Sequence, residues 1–460
     1  MSTPEDKSDG KWRRRFKRFF IGLAILIVLL VGMQAARIKI ARSALNRQLA
    51  EIERAGEPTH VEQLFAPAVD PARNRLMFWL EAQSHVVDSN ADGTCSLVGL
   101  IDSDLPLPVD LARQADELIN ANSQALADID AAIVCPYPFV RARDPNRPAW
   151  LQSSEDMAGA AKLNELLCVA AIEAHLHDDD AAAMSFLMKT DKVRADFKTC
   201  PGFFGAACTY FSEAKFADAI TRIAADWNRM AIQTAQKPRL PEAEIRAIIS
   251  SLLDEKFRAG DLHRAQLAQR ILDADAVLSF LGLGLTQTGT NVCANGAEKL
   301  RVVLLPNALN TAADSLRYSN EAIRQSDGMV YSYTRQKIDA ITPVQGFLSM
   351  GSGHVWPIWV KEAFKNRANR RLCATALAIS LYVNDQDRFP RSLEDLKPRY
   401  LTELPIDPMT SGQSLRYRTG TAPIIYSVGV NGQDDGGDDS EAGPLTDREY
   451  KDIVVHLLPR

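Results

Sequence analysis

The sequence predicts a mainly α-helical protein with an N-terminal transmembrane helix, an irregular bundle of helical hairpins and a small C-terminal α+β unit with an antiparallel sheet. Three observations support this fold class. An uncharged apolar run stands near the N-terminus, and helical periodicity dominates the region that follows. Short β-type runs separated by Gly, Pro, Asn and Asp appear only in the last part of the chain.

The apolar run covers residues 19–36, FFIGLAILIVLLVGMQAA, and contains no charged side chain. A helix of this length can just cross the hydrocarbon core of a bilayer. A secretory signal peptide also starts with basic residues, but its apolar core is shorter, and this run ends without an A-x-A cleavage pattern. We therefore favour a retained anchor, which contacts the bilayer through residues 19–36, over a cleaved signal or a buried soluble helix.

Basic residues are denser before the apolar run than after it. Lys and Arg crowd residues 1–18, which predicts a cytoplasmic basic tail. The protein is then expected in a bacterial inner membrane, as a single-pass protein with its N-terminus in the cytoplasm and the bulk of the chain in the periplasm. Residues 37–58 are predicted to form a charged stalk, a spacer that ends at Gly56 and Pro58.

Residues 59–350 carry the periodicity of amphipathic helices, most clearly at Ile245, Ile248, Ile249 and Leu252. Polar breaks between the periodic segments predict antiparallel hairpins packed side by side. The breaks fall at residues 177–180, 200–205, 236–241 and 258–261. Two Gly-rich stretches, at residues 280–297 and 350–357, are predicted to be loops.

The overall charge and the cysteines limit the chemistry. With 53 basic and 58 acidic residues the net charge is -5, so the broad basic surface that binds nucleic acid is not expected. Of the seven cysteines, Cys200 with Cys208 is the favoured disulfide pair and Cys95 with Cys135 comes next. The alternative is that the cysteines are small buried core residues.

The C-terminal unit, residues 355–460, carries the most specific pattern in the chain. A helix is followed by an Arg-Phe-Pro turn, a Leu-Pro-Ile-Asp-Pro turn, strand-like runs at 415–418 and 424–428, and a Gly/Asp loop. In this order, over about residues 370–441, the unit resembles the globular part of the major pseudopilin of type II secretion. The whole layout looks like uncharacterised single-pass anchored proteins of planctomycete-like bacteria. Pilus assembly is not expected, because the family's N-terminal cleavage junction and its glutamate are missing.

In the pseudopilin family the loop after the last strand binds calcium. The resemblance therefore implies a structural Ca²⁺ site in the matching stretch, residues 429–441. Clustered hard oxygen donors of this kind suit Ca²⁺. The alternative is a solvated acidic turn without an ion. The implied ligands are Asn431, Asp434, Asp435, Asp438 and Asp439.

A second candidate metal group is His175-Leu-His177 followed by Asp178, Asp179 and Asp180. Residues two apart do not share a helix face, so both imidazoles could bind one ion only beyond a helix end. We interpret the group as a polar turn between helices. The chain also contains no H-E-x-x-H and no G-x-S-x-G motif, so no catalytic and no cofactor-binding residue is predicted.

These features predict a non-enzymatic, membrane-anchored extracytoplasmic scaffold or interaction protein, whose partner is another envelope protein. Two alternatives stay open. One is an envelope metal-dependent hydrolase that uses His175, His177 and the following aspartates as ligands. The other is an accessory protein of a secretion system.

Overall fold

The computed structural model describes residues 9–90, 93–144, 149–254, 259–279, 283–286, 289–292, 298–326, 331–341, 355–442 and 449–459. The α-helices in chain order are α1 (Asp9–Arg54), α2 (Arg75–Ser84), α3 (Leu97–Ile101), α4 (Val109–Ala121), α5 (Ser123–Val134), α6 (Ala149–Leu176), α7 (Asp180–Phe197), α8 (Phe203–Thr234), α9 (Glu242–Leu253), α10 (Ala259–Ser279), α11 (Glu298–Ser326), α12 (Tyr331–Asp339) and α13 (Val355–Gln386). The strands are β1 (Leu283–Thr286), β2 (Gly289–Val292), β3 (Arg416–Arg418), β4 (Ile424–Ser427), β5 (Glu441–Ala442), β6 (Glu449–Tyr450) and β7 (Ile453–His456).

The helical body confirms the mainly α prediction. The first three predicted breaks separate α6 from α7, α7 from α8 and α8 from α9. The fourth predicted break, residues 258–261, overlaps the start of α10 at Ala259. Local chemistry sets these boundaries. For example, the Asp179 carboxylate accepts a hydrogen bond from the Ala182 amide at 2.9 Å and caps the start of α7.

Helix α1 is one continuous helix with two different environments. Its large apolar side chains between Phe16 and Met33 are exposed, and among the described helices α1 is the one long and apolar enough to cross a membrane. Ala41, Leu45 and Ile52 are almost fully buried in a cluster with α10 and α11. The segment that we predicted to be a spacer, residues 37–58, thus packs on the body instead of standing free.

Residues 37–58 pack on the body because their apolar residues recur at helical spacing, a pattern that the charged residues between them obscure. Positions 41, 45 and 52 follow one another at four and seven residues, so they fall on one face of the helix. Arg37 and Lys39, on the remaining surface, stay exposed. Burying the apolar face against α10 and α11 removes it from water, which stabilises this contact.

The largest core joins the helical body to the C-terminal unit. Helix α6 packs against α7 and α8, and α13 packs against α8 and α9. Buried side chains such as Leu167 and Trp227 from the body belong to the same cluster as Leu372 and Ile379 from α13. The C-terminal unit therefore shares its main helix with the core of the body.

Strands β3, β4 and β7 form an antiparallel sheet in the order β3-β4-β7, with Tyr417 paired to Ile425 and Ile425 to Val455. The predicted helix on a small antiparallel sheet is confirmed. The fully buried Asp407 of the Leu-Pro-Ile-Asp-Pro turn holds that turn to β4, since its carboxylate accepts hydrogen bonds from the Val428 amide at 3.0 Å and the Ser427 hydroxyl at 2.7 Å.

Three local predictions differ from the structure. Residues 350–357 were predicted to be a loop, but α13 begins at Val355, and residues 350–354 lie outside the described residues. Within the stretch predicted to be a loop, 280–297, β1 and β2 pair as an antiparallel hairpin. The glycines masked the β-branched Thr and Val residues that favour strands there. The predicted disulfides are also not formed. Cys95, Cys135, Cys200 and Cys208 carry thiols, and all six cysteines within the described residues are buried, as the alternative interpretation expects. Cys293 lies outside the described residues.

Candidate functional site

The acidic loop after β4 is held by side chains of the sheet. Asp434 accepts hydrogen bonds from Arg416 Nε at 3.1 Å and from the Tyr426 hydroxyl at 3.0 Å. Asn431, another predicted ligand, donates to Asp435 Oδ2 at 2.7 Å. Three of the five predicted ligands therefore contact other protein groups on this side of the loop.

The other two predicted ligands, Asp438 and Asp439, face Lys451, two residues before β7, and His456 of β7. Asp438 Oδ2 accepts a hydrogen bond from Lys451 Nζ at 2.7 Å, which holds the pKa of the Asp438 carboxyl well below its usual range. Asp439 Oδ2 lies 3.5 Å from His456 Nε2. Asp438 and Asp439 thus point to separate basic partners.

A residue that sequence reasoning missed, Asp452, lies beneath this loop. Its carboxylate is buried and accepts hydrogen bonds from the Gly437 amide at 2.7 Å and the Asp435 amide at 3.5 Å. Burial raises the pKa of Asp452. Its place directly before a strand-like run gave no signal of this role, because the loop that it supports lies fifteen or more residues earlier in the sequence.

As described, the loop does not assemble a set of converging metal ligands. The side chains of Asp434, Asp435, Asp438 and Asp439 are all described, and no three of these carboxylates bring ligand oxygens within 4.8 Å of one another. Ca²⁺ usually takes six to eight oxygen ligands. Calcium binding by Asn431, Asp434, Asp435, Asp438 and Asp439 gains no support from this geometry and stays a prediction.

The second predicted group is divided between two environments, and its buried half is built around His175. His175 Nδ1 lies 2.7 Å from Asp180 Oδ1, and Nε2 lies 3.3 Å from Asp226 Oδ2. Asp180 also accepts hydrogen bonds from Trp227 Nε1 at 3.0 Å and the Arg239 amide at 2.8 Å. Helices α6, α7 and α8 and the segment before α9 therefore meet at one buried polar cluster.

Protonation of His175 follows from this arrangement. Burial on its own lowers the pKa of His175, but hydrogen bonds and charges from Asp180 and Asp226 outweigh burial and raise it to about 9. A protonated imidazole has two N–H donors, which matches the two carboxylates on its opposite sides. At neutral pH this cluster is a buried ion triad, so both ring nitrogens are engaged and neither is available to a metal.

The exposed half of the group contains His177, which follows the end of α6. His177 Nε2 lies 3.1 Å from Asp116 Oδ1 and 3.4 Å from Glu173 Oε1. Asp178, in a left-handed conformation, pairs with Arg239 at 3.2 Å. The ligand set of the hydrolase alternative is thus not brought together, because His175 points into the body and His177 points out.

A polar cleft lies where the sheet meets the helical body. It has about 680 Å³ of open space and is lined by charged side chains from α8, from β7 and from the segment after α3. Arg222 forms an ion pair with Asp104 across it at 3.0 Å, and His456 comes from the sheet side. Ligand pockets commonly occur at such joints, but the charges here have both signs and define no single ligand class.

Comparison with protein-family models, with curated proteins and with solved structures found no match. The resemblance of residues 370–441 to the major pseudopilin stays a prediction.

Proposed function

We propose that this protein is a single-pass, membrane-anchored scaffold of the bacterial inner membrane, with its N-terminus in the cytoplasm and its helical body in the periplasm. Its partner is another envelope protein, which binds the surface of the body. The observation that carries this proposal is the continuity of α1, whose exposed apolar part leads directly into a part buried in the body.

The contact of α1 with α11 supports a fixed rather than a flexible mounting. Arg37 donates to Asn307 at 3.3 Å, and Gln48 accepts from Asn320 at 3.4 Å, so the two helices run parallel over several turns. A helix rises about 1.5 Å per residue, so this shared length is roughly 17 Å. A flexible linker would let the body turn freely, whereas this contact holds it at one angle to the anchor.

The docking of the C-terminal unit supports a single interaction platform. Arg370 of α13 donates to the carbonyls of Ser251 and Asp254 at the end of α9, at 3.1 and 3.2 Å. Asn228 of α8 donates to the Leu457 carbonyl at 2.9 Å. Because both contacts join the unit to the body, a partner meets one surface rather than two mobile domains.

Topology is tested first, with the full chain in the membrane of a bacterial host. Protease added to spheroplasts should digest the body while an N-terminal tag stays protected. If the body resists protease until the membrane is lysed, the proposed orientation is wrong.

The partner is tested by cross-linking in intact cells of the native host, followed by purification of the anchored protein. We expect one envelope protein to be recovered in amounts comparable to the bait. The same recovery from a body fused to an unrelated transmembrane helix through a flexible linker would refute the requirement for a fixed mounting.

A further inference from the structure

Three potential metal ligands converge at the exposed end of α6. Glu173 and His177 are four residues apart and so share one helix face, and Asp116 comes from α4. Among the described residues this is the one group of three His, Cys, Asp or Glu residues whose ligand atoms all lie within 4.8 Å of one another.

The two distances from the His177 ring nitrogen to the carboxylate oxygens match those of a metal site. A tetrahedral zinc ion holds nitrogen and oxygen ligands at about 2.0–2.2 Å, which places neighbouring ligand atoms about 3.3–3.6 Å apart. His177 Nε2 lies 3.1 Å from the Asp116 oxygen and 3.4 Å from the Glu173 oxygen. The Asp116 and Glu173 oxygens lie within 4.8 Å of each other, so the three ligand atoms are grouped around one position.

Both carboxylates approach the same ring nitrogen. A single N–H can donate a good hydrogen bond to only one acceptor, so a proton on Nε2 serves Asp116 or Glu173 but not both equally. A divalent ion in place of that proton contacts both oxygens at once. A metal ion bound to Nε2 therefore contacts both carboxylates, whereas a proton on Nε2 forms a good hydrogen bond with only one of them.

The charge around the group also favours a cation. Among the described residues no lysine or arginine forms an ion pair with Asp116 or Glu173, whose charged neighbour in both cases is His177. The group stands at the C-terminal end of α6, where the helix dipole contributes further negative potential. The two carboxylates thus have one imidazole as their charged neighbour and lie in a region of negative electrostatic potential, which favours a bound cation.

We propose that Asp116, Glu173 and His177 bind one Zn²⁺ ion on the surface of the helical body. His177 Nε2 and one oxygen from each carboxylate are the protein ligands, and the remaining position is open to water. The ion ties α4 to the turn between α6 and α7. This site depends neither on the scaffold proposal nor on the acidic loop.

The chain contains a matched control with the same residue types. His85 also has a glutamate four residues before it, Glu81, and an aspartate from another helix, Asp128. There, however, Asp128 lies 2.7 Å from Nδ1 and Glu81 lies 3.9 Å from Nε2. The carboxylates face opposite ring nitrogens, so they cannot share one ion with a single nitrogen.

The experiment is a calorimetric titration of the full chain in detergent with Zn²⁺ at pH 7, after removal of metal by a chelator. The unsubstituted protein and His85→Ala should bind one Zn²⁺ that His177→Ala does not bind. Glu173→Gln should bind it at least tenfold more weakly, and Co²⁺ should give visible absorption bands that disappear in His177→Ala. Circular dichroism checks that each variant keeps its helical content.

Three results would overturn the proposal. They are an unsubstituted chain that binds no Zn²⁺, a His177→Ala variant that keeps the same stoichiometry and affinity, and an equal loss of binding in His85→Ala. Because His177 and Glu173 are tested separately, a folding defect in one variant leaves the other to decide.

Discussion

Replacing His175 by alanine tests the buried triad that joins α6, α7 and α8. The substitution leaves Asp180 and Asp226 in a buried setting without the cation between them. Removing one partner of a buried ion pair typically costs about 3–5 kcal/mol in the free energy of unfolding. The raised pKa gives a second measure. A rise from the ordinary value of 6.5 to about 9 corresponds to about 3 kcal/mol, at about 1.4 kcal/mol per pH unit.

The pH dependence has a definite sign. Because the pKa of His175 is higher in the folded than in the unfolded chain, its contribution to stability is complete below pH 6.5 and is lost as the pH rises through about 9. Asp180 and Asp226 have pKa values below their usual range, so their share persists until the pH falls below about 4. The triad therefore stabilises the fold most between about pH 4 and 6.5.

Chemical denaturation of the full chain in detergent, followed by circular dichroism, measures both effects. We expect His175→Ala to be about 3 kcal/mol less stable than the unsubstituted protein at pH 6, and the difference to shrink by more than half at pH 10. His85→Ala, which removes an exposed histidine, should stay within about 0.5 kcal/mol at both pH values. A deficit that is equal at pH 6 and pH 10 would show that His175 acts through packing and not through charge.

Three further predictions concern the anchor and the loop. In denaturation experiments, Leu45→Ala should destabilise the full chain by about 3 kcal/mol, because it opens a cavity between α1 and α11. The control is Ile40→Ala at an exposed position, which should change stability by less than about 0.5 kcal/mol. Asp452→Ala should lower the free energy of unfolding by about 1–3 kcal/mol and speed proteolysis of the acidic loop, because two backbone amides lose their buried acceptor. Unchanged proteolysis would contradict this role of Asp452. If the loop binds calcium, replacing Asp438 and Asp439 by alanine should lower the melting temperature more in calcium than in chelator, and an equal loss in both would rule out the ion.

Local signals account for the parts of the fold that the sequence predicted well. Helix breaks coincide with capping and turn residues, and the strand-like runs of the C-terminal unit pair as expected. Both features can be recognised from neighbouring residues in the sequence. The two-residue spacing of His175 and His177 was also informative. Residues two apart point to different sides, and these two histidines contact different carboxylates.

Contacts between distant residues were not predictable in the same way. Asp226 lies 51 residues after His175, and Asp116 lies 61 residues before His177, and nothing in the intervening sequence links them. The packing of residues 37–58 was missed for a similar reason. Its apolar face is short, and the surface that covers it, on α11, lies more than 260 residues away. The acidic loop suggested converging ligands because the basic partners of Asp438 and Asp439 stand after it in the chain.

The shared core of the helical body and the C-terminal unit has a consequence for biogenesis. Trp227 emerges from the ribosome early, whereas Leu372 and Ile379, which belong to the same buried cluster, follow about 150 residues later, or roughly ten seconds at about 15 residues per second. During that interval the nascent body carries an uncovered apolar face, a surface that chaperones recognise and proteases attack. Chains that stop before α13 should therefore be degraded rather than accumulate. Only chains that include α13 bury the apolar face and escape degradation.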